Sequence, residues 1–126
     1  MEAKQTFRVI VAGCRDFGDY GLLCQTCDRM LSQKHQTHDI VIISGTARGA
    51  DTLGERYARE RGYAVERFPA DWEHAGKAAG FIRNAKMASV VDALIAFWDR
   101  HSRGTAHMID QARQKSLPYR VVCYSP

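Results

Sequence analysis

The 126-residue sequence contains no apolar run approaching the roughly 20 residues that are needed to cross a bilayer. Its first five residues, Met1 to Gln5, are too polar for a secretory signal peptide. A linker, an internal repeat and a low-complexity segment are also missing. The length suffices for one hydrophobic core, so a single domain over residues 1–126 is expected. We predict a cytoplasmic protein with no membrane partner.

Cysteine is scarce, and only one pair has the spacing of a metal or redox motif. Cys24 and Cys27 form a CxxC, but there is no second pair at a matching spacing for zinc. The pair falls well inside a predicted helix, and Cys27 lies on the apolar face of that helix, where a free thiol behaves as a small hydrophobe. Core packing is therefore favoured, and neither a metal nor another cofactor is predicted.

The excess of positive charge is small. The net charge is +4, from 18 Lys and Arg against 14 Asp and Glu. Much of the positive charge stands in mixed-sign stretches such as Arg59-Glu60-Arg61, which are typical of solvated helix faces. This balance suits an anionic small molecule and argues against nucleic acid. The charge balance is also compatible with a homo-oligomer.

Short apolar runs alternate with helical segments, which is the pattern of successive βαβ units. Strands are predicted at 7–12, 39–43, 63–68, 93–98 and 119–124. Helical segments are predicted at about 19–34, 46–62 and 78–91, and from Ser102 to before Pro118, with a polar loop at 69–77. Right-handed crossovers then give an α/β, Rossmann-like fold: a five-stranded parallel sheet in the order 3-2-1-4-5, with helices on both faces. In that order the loops after strands one and four part to leave a ligand-binding crevice.

Polar, glycine-containing clusters follow the strands at the edge where this crevice is expected. Glycine lets the backbone approach a ligand, and the free amides at a helix start attract anions. Arginines add charge-assisted hydrogen bonds. The same residues are compatible with turn chemistry alone, and the Asn of the third helix with local backbone bonding. The predicted ligand-binding or phosphate-binding residues are Gly13, Arg15, Ser44, Gly45, Arg48, Gly49, Asp51, Arg83, Asn84, Trp98, Ser102, Gly104 and Thr105.

Three carboxylates near this edge are candidates for catalysis. Asp71 and Glu73 belong to the polar loop, and Asp99 follows strand four. The loop also carries Trp72, which suits either a lid with a stacking surface or a rigid loop anchored by that ring. A glycosidase needs a carboxylate to stabilise positive charge on the sugar or to activate water. Glu73, Asp99 and Asp71 are the predicted catalytic residues if the protein is an enzyme.

Several segments together resemble the YspA, or cpYpsA-related, family of the SLOG superfamily, whose relatives include DprA and the LOG phosphoribohydrolases. They are VAGCRDF (11–17), SGTARGAD (44–51), ADWE (70–73), GKAAGFIRN (76–84), AFW (96–98) and SRGT (102–105). The resemblance covers nearly the whole chain. It implies a Rossmann-like fold that binds nucleotides or nucleotide-derived small molecules, in a family widespread in bacteria and phages.

The LOG enzymes, which cleave the N-glycosidic bond of nucleoside monophosphates, resemble this chain around Arg83, Met87 and Gly104-Thr105. Their fourth-strand motif is Pro-Gly-Gly-x-Gly-Thr with a Glu shortly after, and this sequence differs from it. The stretch 98–101 replaces Pro-Gly-Gly, and His107 and Met108 stand where the acidic residues would be. His107 falls on the predicted outward face of its helix.

Three hypotheses for the function follow. The first is a domain that binds a nucleotide-derived, phosphate-bearing ligand, as a sensor or processing module. The second is a hydrolase of nucleotides or N-glycosidic bonds, and the third, by analogy with DprA, is single-stranded nucleic-acid binding. The first is preferred because it requires no matched acid and base.

Overall fold

A computed structural model describes residues 4–125. Residues 1–3, part of the segment on which the absence of a signal peptide is predicted, lie outside the described residues. The described chain alternates strands and helices. The strands are β1 (Gln5–Gly13), β2 (His38–Ser44), β3 (Ala64–Arg67), β4 (Ala93–Trp98) and β5 (Tyr119–Cys123).

The helices lie between these strands and follow the predicted pattern. Asp19 caps the first of them, since its Oδ1 accepts the Leu22 N–H at 3.0 Å. The helices are α1 (Tyr20–Leu31), α2 (Lys34–Thr37), α3 (Ala50–Arg61), α4 (Trp72–Ala75), α5 (Ala79–Ala88) and α6 (Arg103–Gln114), with a 3₁₀ turn at Gly76–Ala78.

The sheet has five strands in the order β3-β2-β1-β4-β5, and every neighbouring pair is parallel. The predicted fold is thereby confirmed. β1 lies at the centre, where Val9 is opposite Ile42 of β2 and Ala93 of β4. In such sheets, ligands bind at the carboxyl ends of two adjacent strands whose following connections run to opposite sides of the sheet. Here these strands are β1 and β4.

Each face of the sheet carries its own apolar core, because successive side chains of a strand point to opposite faces. Val9 and Val11 of β1 pack with α1 and α3, whereas Ile10 packs with α5 and α6. Cys27 is fully buried in the first core, as its place on the apolar face predicts, and burial raises the pKa of its thiol to about 12. This thiol therefore stays protonated and packs as an apolar group.

The structure corrects several predicted details. The segment 69–77 is largely helical, because Asp71 caps α4 by accepting the His74 N–H at 3.3 Å. The third predicted helix ends at Ala88 instead of residue 91. Beyond it, the Arg8 N–H donates to the Asp92 carboxylate and the Asp92 N–H donates to the Arg8 carbonyl, each at 2.8 Å. Met30, predicted in the inward stripe of α1, is exposed because residues spaced by four occupy that stripe.

Among the described residues, no helix combines the length and the apolar character that a membrane span requires.

Gly13 is the residue on which the central strand depends. A Cβ there would lie 2.4 Å from the Phe97 carbonyl oxygen and 2.7 Å from the Ala50 Cβ. We expect Gly13→Ala to lower the free energy of unfolding by about 1–3 kcal/mol or more, since backbone must move to admit the methyl group. Urea denaturation measures this loss.

Gly21→Ala is the matched control, because the nearest atom to its added Cβ is 3.7 Å away. That substitution lies in the first turn of α1 and should leave stability unchanged or raise it by up to about 1 kcal/mol. Equal stability of the two variants would contradict the tight packing at Gly13.

Candidate functional site

A cavity of about 460 Å³ opens at the carboxyl ends of β1 and β4. It lies where the sheet order predicts the crevice, and the loop after β1 and helices α3, α5 and α6 contribute to its walls. Its lining residues are Ala12, Gly13, Cys14, Arg15, Asp16, Ala47, Asp51, Trp72, Lys77, Gly80, Phe81, Arg83, Asn84, Met87, Asp99, Ser102, Gly104, Thr105 and Met108.

The structure brings most of the predicted site residues to this cavity but leaves others outside it. Those that line it are Gly13, Arg15, Asp51, Arg83, Asn84, Asp99, Ser102, Gly104 and Thr105. Those that do not line it are Ser44, Gly45, Arg48, Gly49, Trp98, Asp71 and Glu73.

The start of α3, predicted to offer free amides to an anion, is covered by the protein itself. The Ala50 N–H donates to the Cys14 carbonyl at 3.3 Å. Gly49 permits this contact, with a φ of 74° and no Cβ, which would lie 2.3 Å from the same carbonyl oxygen. Arg48 is exposed beside this turn, and the Ser44 hydroxyl is occupied by Glu55 at 2.6 Å. These residues shape the turn and do not line the cavity.

The acidic pair of the 69–77 segment also points elsewhere. Asp71 caps α4 and contacts His74 Nδ1 at 2.9 Å, and Glu73 is exposed. From this segment only Trp72 and Lys77 line the cavity. The Trp72 side chain is 52% exposed there, so it forms part of the rim.

Arg83 is the cation most firmly held in the wall. Its Nη1 donates to the Gly45 carbonyl, and its Nε donates to Asn84 Oδ1 at 3.1 Å. Gly45 allows this approach, because a Cβ there would lie 2.9 Å from Nη1 and 2.8 Å from the Asp51 carboxylate. Burial lowers the pKa of Arg83, but guanidinium stays charged in proteins.

Asn84 joins α5 to α6. It is only 6% exposed, and its Nδ2 donates to the Gly104 carbonyl at 3.2 Å and lies 3.3 Å from His107 Nδ1. His107 lies off the buried stripe of α6, as predicted, but α5 covers it, so that its side chain is only partly exposed. Its ring stacks on Phe81, with centroids 4.3 Å apart, because α5 packs along the flank of α6 on which His107 lies.

Asp51 is a buried carboxyl group in the same wall. Its Oδ2 accepts the Ala47 N–H at 3.1 Å. Burial raises the pKa of Asp51 from its usual value of 3.8 to about 6, although the Ala47 hydrogen bond and the Arg83 charge oppose the rise. The group therefore changes charge near neutral pH.

The opposite wall holds an ionised carboxylate and a thiol. Asp99 Oδ1 accepts the N–H groups of His101 and Ser102, each at 2.8 Å, and these bonds lower the pKa of Asp99. Ligand atoms of Cys14, Asp16 and Asp99 lie within 4.8 Å of one another, a spacing that a cation can bridge. Each of the three already has a hydrogen-bond partner within the protein, however. Asp16 accepts the Tyr124 hydroxyl at 2.7 Å, and Cys14 Sγ accepts the Asp99 N–H at 3.4 Å.

Sequence reasoning missed Cys14, Asp16 and Phe81 as lining residues. Cys14 and Asp16 stand in the VAGCRDF segment, directly beside the predicted Gly13 and Arg15. Phe81 precedes Asn84 by one helical turn, which places both on the same flank of α5.

Comparison with known proteins identifies the family. A sequence profile of the YspA, cpYpsA-related SLOG family matches residues 7–74. The chain belongs to this family. Gene 61 protein of Mycobacterium phage D29 is 34% identical over 118 residues, which cover 88% of this SLOG chain and 92% of the phage protein.

Two solved structures share the fold of this SLOG protein. DNA processing protein A (DprA) from Streptococcus pneumoniae superposes with a TM-score of 0.72 at 16% identity over 96% of the chain. The chain spans about half of DprA, 51% of its length. The protein TM1055 superposes with a TM-score of 0.59 at 20% identity, over 93% of this chain and 72% of its own. Both likenesses concern the fold.

The raised pKa of Asp51 predicts that stability depends on pH in a direction opposite to that of most carboxylates. Between the unfolded value of 3.8 and the folded value of about 6, the folded state binds a proton that the unfolded state does not. The contribution of Asp51 to the free energy of unfolding therefore increases as the pH falls through this window. A pKa difference of about two units between the folded and unfolded states corresponds to about 3 kcal/mol in the free energy of unfolding.

Asp51→Asn removes this titration and keeps an acceptor for the Ala47 N–H. We expect the native protein to gain up to about 3 kcal/mol relative to Asp51→Asn between pH 8 and pH 4. Urea denaturation of both proteins across this range measures the difference. A difference that stays constant with pH would show that Asp51 has an ordinary pKa.

Proposed function

We propose that this SLOG protein binds a nucleotide or nucleotide-derived, phosphate-bearing small molecule in the cavity between β1 and β4. The observation that carries the proposal is a combination of side chains in one cavity. Arg15, Lys77 and Arg83 provide positive charge, and Trp72 and Phe81 provide exposed aromatic surface. A volume of about 460 Å³ lies within the range of small-molecule sites.

Arg83 suits the phosphate because the protein already holds its guanidinium at two of the three nitrogens. Nη1 and Nε are bound to Gly45 and Asn84, and the other N–H donors remain for a ligand. A guanidinium held in place loses little side-chain entropy on binding, and its partial burial strengthens a charge-assisted bond. Arg15 and Lys77 add charge to the same cavity.

The start of α6 is a second place for the anion. This helix has 12 residues and no acidic residue in its first turn, so its dipole favours negative charge there. A Cβ added to Gly104 would meet no atom within 4 Å, which leaves open space beside the first turn. The start of α3, in contrast, carries Asp51 and is covered by the Cys14 carbonyl.

The aromatic rim suits a nucleobase. Trp72 and Phe81 are 52% and 45% exposed although both are large apolar side chains. Stacking of a base on such a ring contributes about 1–3 kcal/mol and tolerates different bases. Sugar hydroxyls would find acceptors in the carboxylates of Asp16 and Asp99.

Isothermal titration with adenosine 5′-monophosphate tests the proposal. Arg83→Ala should weaken binding by about 1.5–3 kcal/mol, or more than tenfold, because a charged donor to the phosphate is lost. Arg59→Ala is the matched control, since Arg59 is exposed at the far end of α3 and the change in net charge is the same.

The control variant should bind like the native protein, and thermal unfolding should verify that both variants are folded. No binding to the native protein, or equal affinities of the native protein and Arg83→Ala, would overturn a phosphate site at Arg83.

Hydrolysis is a second candidate function, favoured by one observation. The cavity holds two carboxyl groups whose pKa values are shifted in opposite directions, upward for Asp51 and downward for Asp99. Such a pair can provide a proton donor and an ionised carboxylate. Glu73 and Asp71, in contrast, lie outside the cavity.

Chromatography of adenosine 5′-monophosphate after incubation with the protein separates the two functions. We expect the nucleotide to be recovered intact, because His107 lies near the place of the acid of the LOG enzymes and Asp99 is held by backbone N–H groups. Release of adenine by the native protein, lost in Asp99→Asn, would establish the hydrolase instead.

A further inference from the structure

We propose that His107 is a positioning residue for the ligand-binding cation, acting through the Asn84 carboxamide on the Arg83 guanidinium. This inference rests on the proposed function, because it assigns Arg83 the role of holding the phosphate. It gives a task to an imidazole that lies outside the cavity lining but directly behind it.

A continuous chain of hydrogen bonds connects the three side chains. His107 Nδ1 lies 3.3 Å from Asn84 Nδ2, and Asn84 Oδ1 accepts from Arg83 Nε at 3.1 Å. Arg83 Nη1 then donates to the Gly45 carbonyl in the loop after β2. The hydrogen bonds thereby connect α6 through α5 to the loop after β2.

Only one orientation of the carboxamide satisfies all its neighbours. Asn84 Nδ2 has two protons, and the Gly104 carbonyl and His107 Nδ1 are both placed to accept one. A flipped amide would direct its oxygen at the Gly104 carbonyl and its NH₂ group at the Arg83 N–H. Because Asn84 is almost fully buried, water cannot compensate for those mismatches.

The imidazole supports this orientation only while Nδ1 is unprotonated. In the neutral ring with its proton on Nε2, Nδ1 accepts from Asn84. In the imidazolium, Nδ1 carries a proton and meets the Asn84 NH₂ as a second donor. Stacking on Phe81 holds the plane of the ring against α5, with Nδ1 beside Asn84.

Burial favours the neutral form of His107 near pH 7. Burial lowers the pKa of His107, and Asp110 on the same helix opposes this effect. From α5, the groups that face the ring are Phe81 and the uncharged Asn84, with the Arg83 cation behind Asn84. The ligand site should therefore be intact at pH 7.5 and should weaken as His107 is protonated at lower pH.

Two substitutions of His107 separate its acceptor from its ring. His107→Phe keeps an aromatic ring against Phe81 but has no acceptor for Asn84. His107→Asn places a carbonyl oxygen at the same number of bonds from the backbone as Nδ1, and that oxygen does not titrate.

Isothermal titration with adenosine 5′-monophosphate at pH 7.5 and pH 5.5 compares these variants with the native protein. At pH 7.5 we expect His107→Phe to bind about tenfold more weakly and His107→Asn to bind within about twofold of native. Between the two pH values, native affinity should fall more than that of His107→Asn. Titration of the phosphate and of Asp51 occurs in both proteins and cancels from this comparison.

Nuclear magnetic resonance without nucleotide provides a test that does not depend on the proposed function. The ¹⁵N shift of Arg83 Nε is followed with pH, and the imidazole of His107 is titrated in the same samples. We expect the native shift to contain a component with the midpoint of His107, and we expect His107→Asn to lack it. A component from Asp51 should persist in both.

The outcomes separate the two proposals. If the native protein does not bind the nucleotide but the Arg83 shift follows His107, the proposed function is wrong and the coupling from His107 to Arg83 is supported. If the Arg83 shift has no component from His107, or if His107→Asn binds as weakly as His107→Phe, the positioning role is overturned.

Discussion

The site depends on the parallel pairing of β1 with β4 at the centre of the sheet. The last pair in this register is Gly13 with Phe97, and the Cys14 N–H still donates to the Phe97 carbonyl at 3.1 Å. The two chains therefore separate only beyond this point, and the cavity begins where they part. With no side chain at Gly13, the start of α3 at Ala50 can pack onto the strand end. The floor of the cavity is thus formed where the end of β1 packs closely on β4 and on the start of α3.

This packing makes two similar helix starts chemically different. The loop after β1 lies on the start of α3 and places the Cys14 carbonyl on the Ala50 amide. Negative charge from Asp51 already occupies that helix start, and its burial gives it a raised pKa. At the start of α6 the Ser102 hydroxyl accepts the Thr105 N–H, and the Asp99 carboxylate accepts the Ser102 N–H just before the first turn. The first turn itself carries no acidic residue and has open space at Gly104. An anion therefore finds room beside the first turn of α6, whereas the Cys14 carbonyl and Asp51 cover the start of α3.

The sheet order could be predicted from the sequence because hydrophobic periodicity and right-handed crossovers leave few alternatives. Arg83 and Asn84 could be assigned to the cavity for a similar reason. The apolar positions of a helix show which of its faces is turned inward, and Asn84 lies on that face with Arg83 beside it. Arg48 and Ser44 could not be excluded in the same way. Whether a loop residue after a strand faces the ligand depends on its tertiary contacts. Here the turn is covered by Cys14, 36 positions before Ala50, and the Ser44 hydroxyl is bound by Glu55, 11 positions later.

His107 shows the same limit for a helix. Its position relative to the sheet places it off the buried stripe, and α6 alone would leave it in solvent. The neighbouring α5 covers that flank, with Phe81 on the ring and Asn84 at Nδ1. The uncharged Asn84 amide separates the imidazole from the guanidinium cation and still connects them by hydrogen bonds, because an amide both donates and accepts. A carboxylate in place of the imidazole would accept from the Asn84 NH₂ throughout the range near pH 7. The histidine therefore makes the hydrogen bonds between residue 107, Asn84 and Arg83 depend on pH.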